Sequence, residues 1–196
     1  MADRNAKIYA SRLVKGRYGE LRQLAEANPP LVEAVNLQDA LVESVRDQLE
    51  LASEFISAAR NLLASGSNSR FDIDHRNALS RAYYGIHHTV RAVVRYAQHY
   101  DPYGHPTSID AFIDVAGDKR AIGAKLTARF GDLKAASRRL KTIIEERHHS
   151  DYDPYGASEI KELPLDIQKA AISVIEDAEA VHDAAVNYLR TEGVIK

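Results

Sequence analysis

Hydrophobic residues recur every three or four positions along most of the chain, which is the spacing of one face of an α-helix. The segment from Leu37 to Ala64 is typical, and its apolar positions are Leu41, Val45, Leu49, Ala52, Phe55, Ala59 and Leu62. No stretch alternates apolar and polar residues with the β-branched enrichment of a strand. The pattern therefore predicts an all-α protein.

Prolines, glycines and capping residues divide this pattern into helices. Residues 4–26 form a first helix that stops before the Asn-Pro-Pro of 28–30, because a proline disfavours helical geometry in the residue before it. The other expected helices cover approximately 37–64, 74–100, 108–115, 132–147 and 163–193. A segment with Gly117, Gly123 and Gly131 carries no clear assignment. We predict an antiparallel up-and-down four-helix bundle over 38–192, with an extra N-terminal helix in an extension over 1–37.

The segment "HRNALSRAYYGIHHTVRAVVRYAQ" (75–98) carries two stripes of different chemistry. One stripe predicts a core face: Leu79, Ala82, Tyr83, Ile86, Val90, Val93, Val94 and Ala97. The opposite stripe is polar: Asn77, Arg81, Tyr84, His88, Arg91 and Arg95. Arginines interleaved with rings suit a ligand that has phosphates and a stackable base. The same spacing also fits a polar subunit contact or a solvated helix face. Gly85 is costly inside a helix and indicates a close approach by another helix or a ligand.

Charge is unevenly distributed along a chain whose formal net charge is only −2. Residues 60–100 hold six arginines against two acids, and residues 119–149 hold nine Lys and Arg against three acids. From residue 150 onward ten acids face four bases. The net charge argues against a protein that coats nucleic acid regardless of sequence. The uneven distribution still allows a basic face on part of the surface. The chain has no cysteine and no long apolar run, so we expect a cytoplasmic protein without a membrane segment.

Histidine-rich spots raise the possibility of a metal site. They are His87-His88, His105, and His148-His149 with its neighbouring aspartates. Adjacent histidines on a helix point about 100° apart, and no His-x-x-x-His pair is present, so we predict neither a metal nor another cofactor. A phosphate-binding glycine loop and a nucleophile elbow are also absent from the sequence.

Two sequence blocks resemble a known family. "SRAYYGIHHTVRAVV" (80–94) is followed about fifty residues later by "RHHSDYDP" (147–154). Together they resemble the HEPN domains of bacteria and archaea, in the branch with a Ser-Arg-x-Tyr-Tyr block and a distal Arg-x-x-x-Asp-Tyr block. The resemblance covers roughly residues 38–192.

The resemblance implies an antiparallel four-helix bundle, usually a homodimer, with a cleft that binds nucleotide or RNA. Many HEPN proteins are toxins paired with a minimal nucleotidyltransferase antitoxin, and others are substrate-binding partners of such enzymes. Many cleave RNA without metal, using an arginine that binds phosphate and a histidine four to six residues later that moves protons. The expected ligand-binding residues are Arg81, Tyr84, His88, Arg91, Arg147, Asp151 and Tyr152.

The second block departs from the ribonuclease pattern. Arg147 matches the arginine, but Tyr152, Asp153 and Pro154 occupy the positions where the histidine is expected. The principal hypothesis is therefore a nucleotide- or RNA-binding component of a toxin-antitoxin or defence module. The alternatives are a metal-independent endoribonuclease with Arg147 and His88 as its catalytic residues, and a non-catalytic interaction scaffold.

Overall fold

The fold is all-α, as the sequence predicts. In a computed structural model the described residues are 37–65, 73–99, 104–152 and 166–196; for Leu37, Gln38 and Tyr152 the description covers the backbone only. Their helices are α1 (Leu37–Ser65), α2 (Ile73–Gln98), α3 (His105–Asp118), α4 (Arg120–Phe130), α5 (Leu133–Tyr152) and α6 (Ile167–Thr191). The predicted helix over 4–26 lies outside the described residues, as does nearly all of the proposed extension.

The long helices α1, α2, α5 and α6 form a bundle. α1 and α2 are antiparallel, because Ser44 near the start of α1 contacts Arg95 near the end of α2. α2 and α5 are antiparallel as well, because Arg76 at the start of α2 binds Ser150 at the end of α5. Tyr188, near the end of α6, contacts Tyr96 near the end of α2, so these two helices run parallel.

α2 is the central helix of the bundle. It packs against α1, α3, α5 and α6. Its predicted core stripe is buried except for Ala97, which is partly exposed. The polar stripe, however, is not a fully solvent-exposed face of the helix. α1 covers part of it, and Arg95 is only 1% exposed. A helix surrounded on several sides buries more than one face, which a two-sided pattern does not anticipate.

Gly85 lies at a close contact between α1 and α2. A Cβ atom at this position would lie 2.6 Å from Cγ1 of Ile56 and 3.3 Å from the carbonyl oxygen of Ala52. The close approach indicated by the sequence is therefore one between two helices.

The sequence did not predict α4, and the reason is again a glycine. Gly123 lies inside this helix, and a Cβ atom there would be 2.5 Å from the carbonyl oxygen of Ala116 in α3. The glycine allows α4 to pack tightly after α3 rather than interrupting a helix. Gly131 has a φ of 92° and ends α4, as glycines often do at helix ends.

α5 continues beyond its predicted end at 147 and includes residues through Tyr152. The stretch "RHHSDY" is therefore helical. Ser150 is buried there, and its hydroxyl donates a hydrogen bond of 3.1 Å to the carbonyl oxygen of Arg76, while Arg76 donates one of 3.0 Å to the carbonyl oxygen of Ser150. This reciprocal pair attaches the end of α5 to the start of α2.

Helices able to cross a bilayer, which need both length and a long apolar run, do not occur among the described residues.

Candidate functional site

Arg147 on α5 contacts the two adjacent tyrosines of α2. Its Nη2 lies 3.1 Å from the hydroxyl oxygen of Tyr84, to which it donates a hydrogen bond. Its guanidinium carbon lies 5.4 Å from the ring centroid of Tyr84 and 5.7 Å from that of Tyr83. Both distances are within the range of cation–π attraction. We call Arg147, Tyr83 and Tyr84, together with Asp151, the arginine–tyrosine site.

Asp151 orients Arg147 from one turn further along α5. Its Oδ2 lies 2.7 Å from Nη2 of Arg147, and the two side chains are 24% and 19% exposed. An ion pair four residues apart on a helix adds little stability, but it restricts the rotamers of the arginine. The guanidinium is thus held at the surface, against two rings, in a defined position.

A pair of histidines lies on the other side of Tyr83. The Tyr83 hydroxyl is hydrogen-bonded to Nδ1 of His105, and that nitrogen lies 3.2 Å from Nδ1 of His87. The His87 and His105 rings are 4.3 Å apart, and the His87 ring stacks near that of Tyr83. Two imidazole nitrogens at hydrogen-bond distance require a proton on at least one of them. Tyr83 and His87 thus form a hydrogen-bonded cluster around one nitrogen of His105.

His105 reaches α2 because of a glycine turn. Gly104 has a φ of 89°, a left-handed conformation that glycine adopts without strain, and α3 begins at the next residue. The hydroxyl of Ser108 donates a hydrogen bond of 2.8 Å to the carbonyl oxygen of Gly104. This turn aims the first side chain of α3 at Tyr83 and His87.

Phe55 on α1 joins the remaining residues of the predicted polar stripe. Its ring is parallel to that of His88 at 5.4 Å, and it lies 5.6 Å from the ring of Tyr84. The guanidinium carbon of Arg81 lies 5.5 Å from the Phe55 centroid. His88 also shares a hydrogen bond of 3.0 Å with Oε1 of Gln48. Phe55 thus brings Arg81 and His88 next to the arginine–tyrosine site.

The surroundings of His88 and His105 are positively charged and partly shielded from solvent. Burial, and then the charges of Arg91 and Arg95, lower the pKa of His88 to about 4. Burial, and then the charges of Arg147 and Arg91, lower the pKa of His105. Burial also raises the pKa of Tyr83, although Arg147 opposes that shift. Near neutral pH both histidines are uncharged while the arginines remain cationic, which favours an anionic ligand.

The structure brings together most of the residues that the sequence singled out. Arg147 contacts both Tyr84 and Asp151. Arg81 and His88 each contact Phe55, which lies beside Tyr84. Arg91 is half-buried and influences the site through its charge. The side chain of Tyr152 lies outside the described residues. His148 and His149 are exposed on α5.

Sequence reasoning missed Phe55, His87 and His105 as parts of the site. Phe55 fits the apolar stripe of α1 and carries no separate signal. In the sequence, His87 and His105 stand out as candidate metal ligands, but the described residues contain no group of three or more His, Cys, Asp or Glu side chains able to hold a metal ion. The one usable signal was that the turn before His105 follows directly on the helix that carries Tyr83.

Comparisons of the chain with protein-family models, with curated proteins and with solved structures found no match.

Proposed function

We propose that this bundle is a HEPN-like domain that binds the phosphate of a nucleotide or of RNA at Arg147. The observation that carries the proposal is the contact between the two resembling blocks. Arg147 comes from the distal block and lies against Tyr83 and Tyr84 of the first block, with a hydrogen bond of 3.1 Å to Tyr84. Blocks that are distant in sequence thus supply one compact group of a cation and rings.

The chemistry of this group suits phosphate bound beside a base. A guanidinium offers a planar set of donors that matches phosphate oxygens, and an adjacent tyrosine ring offers a stacking surface. Arg91 adds positive charge nearby, since it lowers the pKa values of both His88 and His105. Asp151 offsets part of the charge of Arg147 and keeps the side chain in place.

Binding of a fluorescent single-stranded RNA and of nucleoside monophosphates to the full chain tests this proposal. Because a hydrogen bond to a charged group contributes about 1.5–3 kcal/mol, Arg147→Ala should weaken binding roughly 10- to 100-fold. It should also reduce the slope of log affinity for RNA against log salt concentration by the amount expected for about one phosphate contact. The matched control is Arg138→Ala, which removes an exposed arginine from the same helix. If the double variant Arg81→Ala, Arg147→Ala binds RNA and nucleotides as tightly as the wild type, the binding proposal is wrong. That result would favour the interaction scaffold instead.

On the basis of the resemblance to HEPN proteins, we propose that this protein is a homodimer. We propose further that it acts with a minimal nucleotidyltransferase antitoxin in a toxin-antitoxin or defence module. Sedimentation of the purified chain, and co-purification after joint expression with a nucleotidyltransferase encoded beside it, test the two associations separately. A monomer at micromolar concentration would contradict the first, and failure to co-purify would contradict the second.

A second candidate, metal-independent RNA cleavage, is favoured by the position of His105 near Arg147, in a cluster with Tyr83 and His87. The lowered pKa of His105 keeps its imidazole neutral at pH 7, where it can accept a proton from a 2′-hydroxyl. Labelled RNA incubated in EDTA should then be cut by the wild type, and not by Arg147→Ala or His105→Ala. His88→Ala should retain cleavage, because His88 packs under Phe55. A wild type that binds RNA without cutting it would contradict this candidate.

A further inference from the structure

A small surface pocket lies between α1 and α2. Its volume is about 210 Å³, and its lining residues are Leu51, Glu54, Phe55, Ala58 and Arg81. Pockets for drug-sized ligands begin at roughly 300 Å³. The pocket therefore has room for one ring system rather than for an extended ligand.

The Phe55 ring and two aliphatic side chains supply the apolar part of this pocket. Leu51 and Ala58 flank Phe55 on α1, one turn before it and one turn after it. Arg81 is exposed, and its guanidinium carbon lies 5.5 Å from the Phe55 centroid. Within the part of the chain that the structure describes, no carboxylate forms an ion pair with Arg81. A ring platform beside an available cation suits a flat base attached to a phosphate.

Glu54 adds a carboxylate to the lining of this pocket. An ionised carboxylate only accepts hydrogen bonds, so it repels phosphate and favours a ligand edge with N–H donors. Guanine presents its N1–H and its N2 amino group side by side, which matches the two oxygens of one carboxylate. Uracil has no amino group, and adenine and cytosine each offer a single amino donor beside an acceptor nitrogen.

The pocket adjoins the arginine–tyrosine site through the contact between Phe55 and Tyr84. Arg147 lies 5.4 Å from the Tyr84 ring, Tyr84 lies 5.6 Å from the Phe55 ring, and Phe55 lies 5.5 Å from the Arg81 guanidinium. Two rings and two cations thus lie close to one another. A single strand can place phosphates on the cations and a base on Phe55.

We infer that the pocket of Phe55, Glu54 and Arg81 is a guanine-binding subsite for single-stranded RNA whose phosphates lie on Arg147 and Arg81. This inference rests on the proposed function, and it adds the base that the site selects. The geometry assigns the stacking to Phe55, base selection to Glu54 and the neighbouring phosphate to Arg81.

The test compares four labelled RNAs that differ in one central base, UUGUU, UUAUU, UUCUU and UUUUU, in binding to the full chain. Wild type should prefer UUGUU by about tenfold, the effect of one good bidentate contact. Glu54→Gln should reduce this preference to about threefold or less and leave UUUUU binding within twofold. Glu50→Gln, which makes the same charge change at an exposed position one turn earlier on α1, should leave the preference intact.

A second variant tests the platform. Phe55→Leu keeps an apolar side chain but removes the ring, so it should weaken all four RNAs together. Its melting temperature, measured in parallel, shows whether the variant is folded. Unchanged affinity in folded Phe55→Leu would overturn the stacking role.

The outcomes separate the two proposals. If Arg147→Ala weakens every RNA while Glu54→Gln leaves the base preference unchanged, the guanine subsite is wrong and the proposed function stands. Wild-type preference for UUAUU, UUCUU or UUUUU would also overturn the subsite. If Arg147→Ala binds all four RNAs as the wild type does, the proposed function fails, and the subsite fails with it.

Discussion

His88 illustrates how one side chain can serve the fold while lying beside a site. Its ring is parallel to that of Phe55, its Nδ1 is hydrogen-bonded to Gln48, and its pKa falls to about 4. The ordinary pKa is 6.5, so between pH 6.5 and 4 the unfolded chain binds a proton that the folded chain does not. His88 is therefore expected to support α1–α2 packing more than to contact a ligand.

The shift of His88 predicts a pH dependence of stability. The stabilisation is fully present above the unfolded pKa of 6.5, and it is lost as the pH falls towards the folded pKa of about 4. At about 1.4 kcal/mol per unit, discounted for partial exposure, the loss should be about 2 kcal/mol. His88→Gln should remove this component when the free energy of unfolding is measured in urea at pH 7 and pH 4.

The control for this measurement is His149→Gln, which removes an exposed imidazole from α5. Its unfolding free energy should change with pH as that of the wild type does. Identical pH profiles for the wild type and His88→Gln would contradict the assignment.

At the scale of helices, the contact between α1 and α2 depends on the absence of a side chain at Gly85. Helix propensity by itself favours alanine there by about 1 kcal/mol. The methyl group of an alanine, however, would lie only 2.6 Å from Cγ1 of buried Ile56. This clash reverses the preference, because overpacking a core typically costs about 1–3 kcal/mol.

Gly85→Ala should therefore lower the free energy of unfolding by about 1–2 kcal/mol in chemical denaturation. Gly117→Ala is the matched control, since it lies in a helix and its Cβ would have no neighbour closer than 4.0 Å. That control should be neutral or slightly stabilising. Ile56→Ala should cost less in the Gly85→Ala background than in the wild type, and additive effects would argue against the clash.

At the scale of the molecule, a buried carboxylate links three helices. Asp177 on α6 is 3% exposed and accepts hydrogen bonds from Arg129 of α4, at 2.8 and 3.0 Å, and from Arg139 of α5, at 2.7 Å. Arg139 also donates to Glu146 and to Ser173. Since α5 and α6 have few direct contacts with each other, this network connects the two helices, and Arg147 lies on α5.

Asp177→Asn should destabilise the protein by about 2–3 kcal/mol, because breaking a buried ion pair leaves the arginines without their charge partner. Glu176→Gln is the control. Glu176 binds the same Arg129, but its side chain is 55% exposed, so the loss should stay within about 1 kcal/mol. Equal melting temperatures for the two variants would show that burial does not strengthen this pair.

How much of the site could be predicted depends on where each signal lies. Arg147, Tyr84 and Asp151 fall within two short blocks, and residues four apart on one helix must be neighbours, so the pair of Arg147 and Asp151 follows from sequence. The contact of Arg147 with Tyr84 joins residues 63 apart, and there only the resemblance indicated a shared site. Phe55 belongs to another helix and carries no local signal, and His105 is indicated only by the turn that follows the helix of Tyr83.

The sequence by itself determined the helical class, most helix limits and the core stripe of α2, because these properties arise from periodicity and from local backbone chemistry. Only the tertiary structure decided that α2 is central, that Gly85 and Gly123 are sites of close helix packing, and that Arg95 is buried. It also decided that His87 and His105 meet at Tyr83. These features depend on how helices pack across large sequence separations, where each contact is set by the shape and burial of both partners.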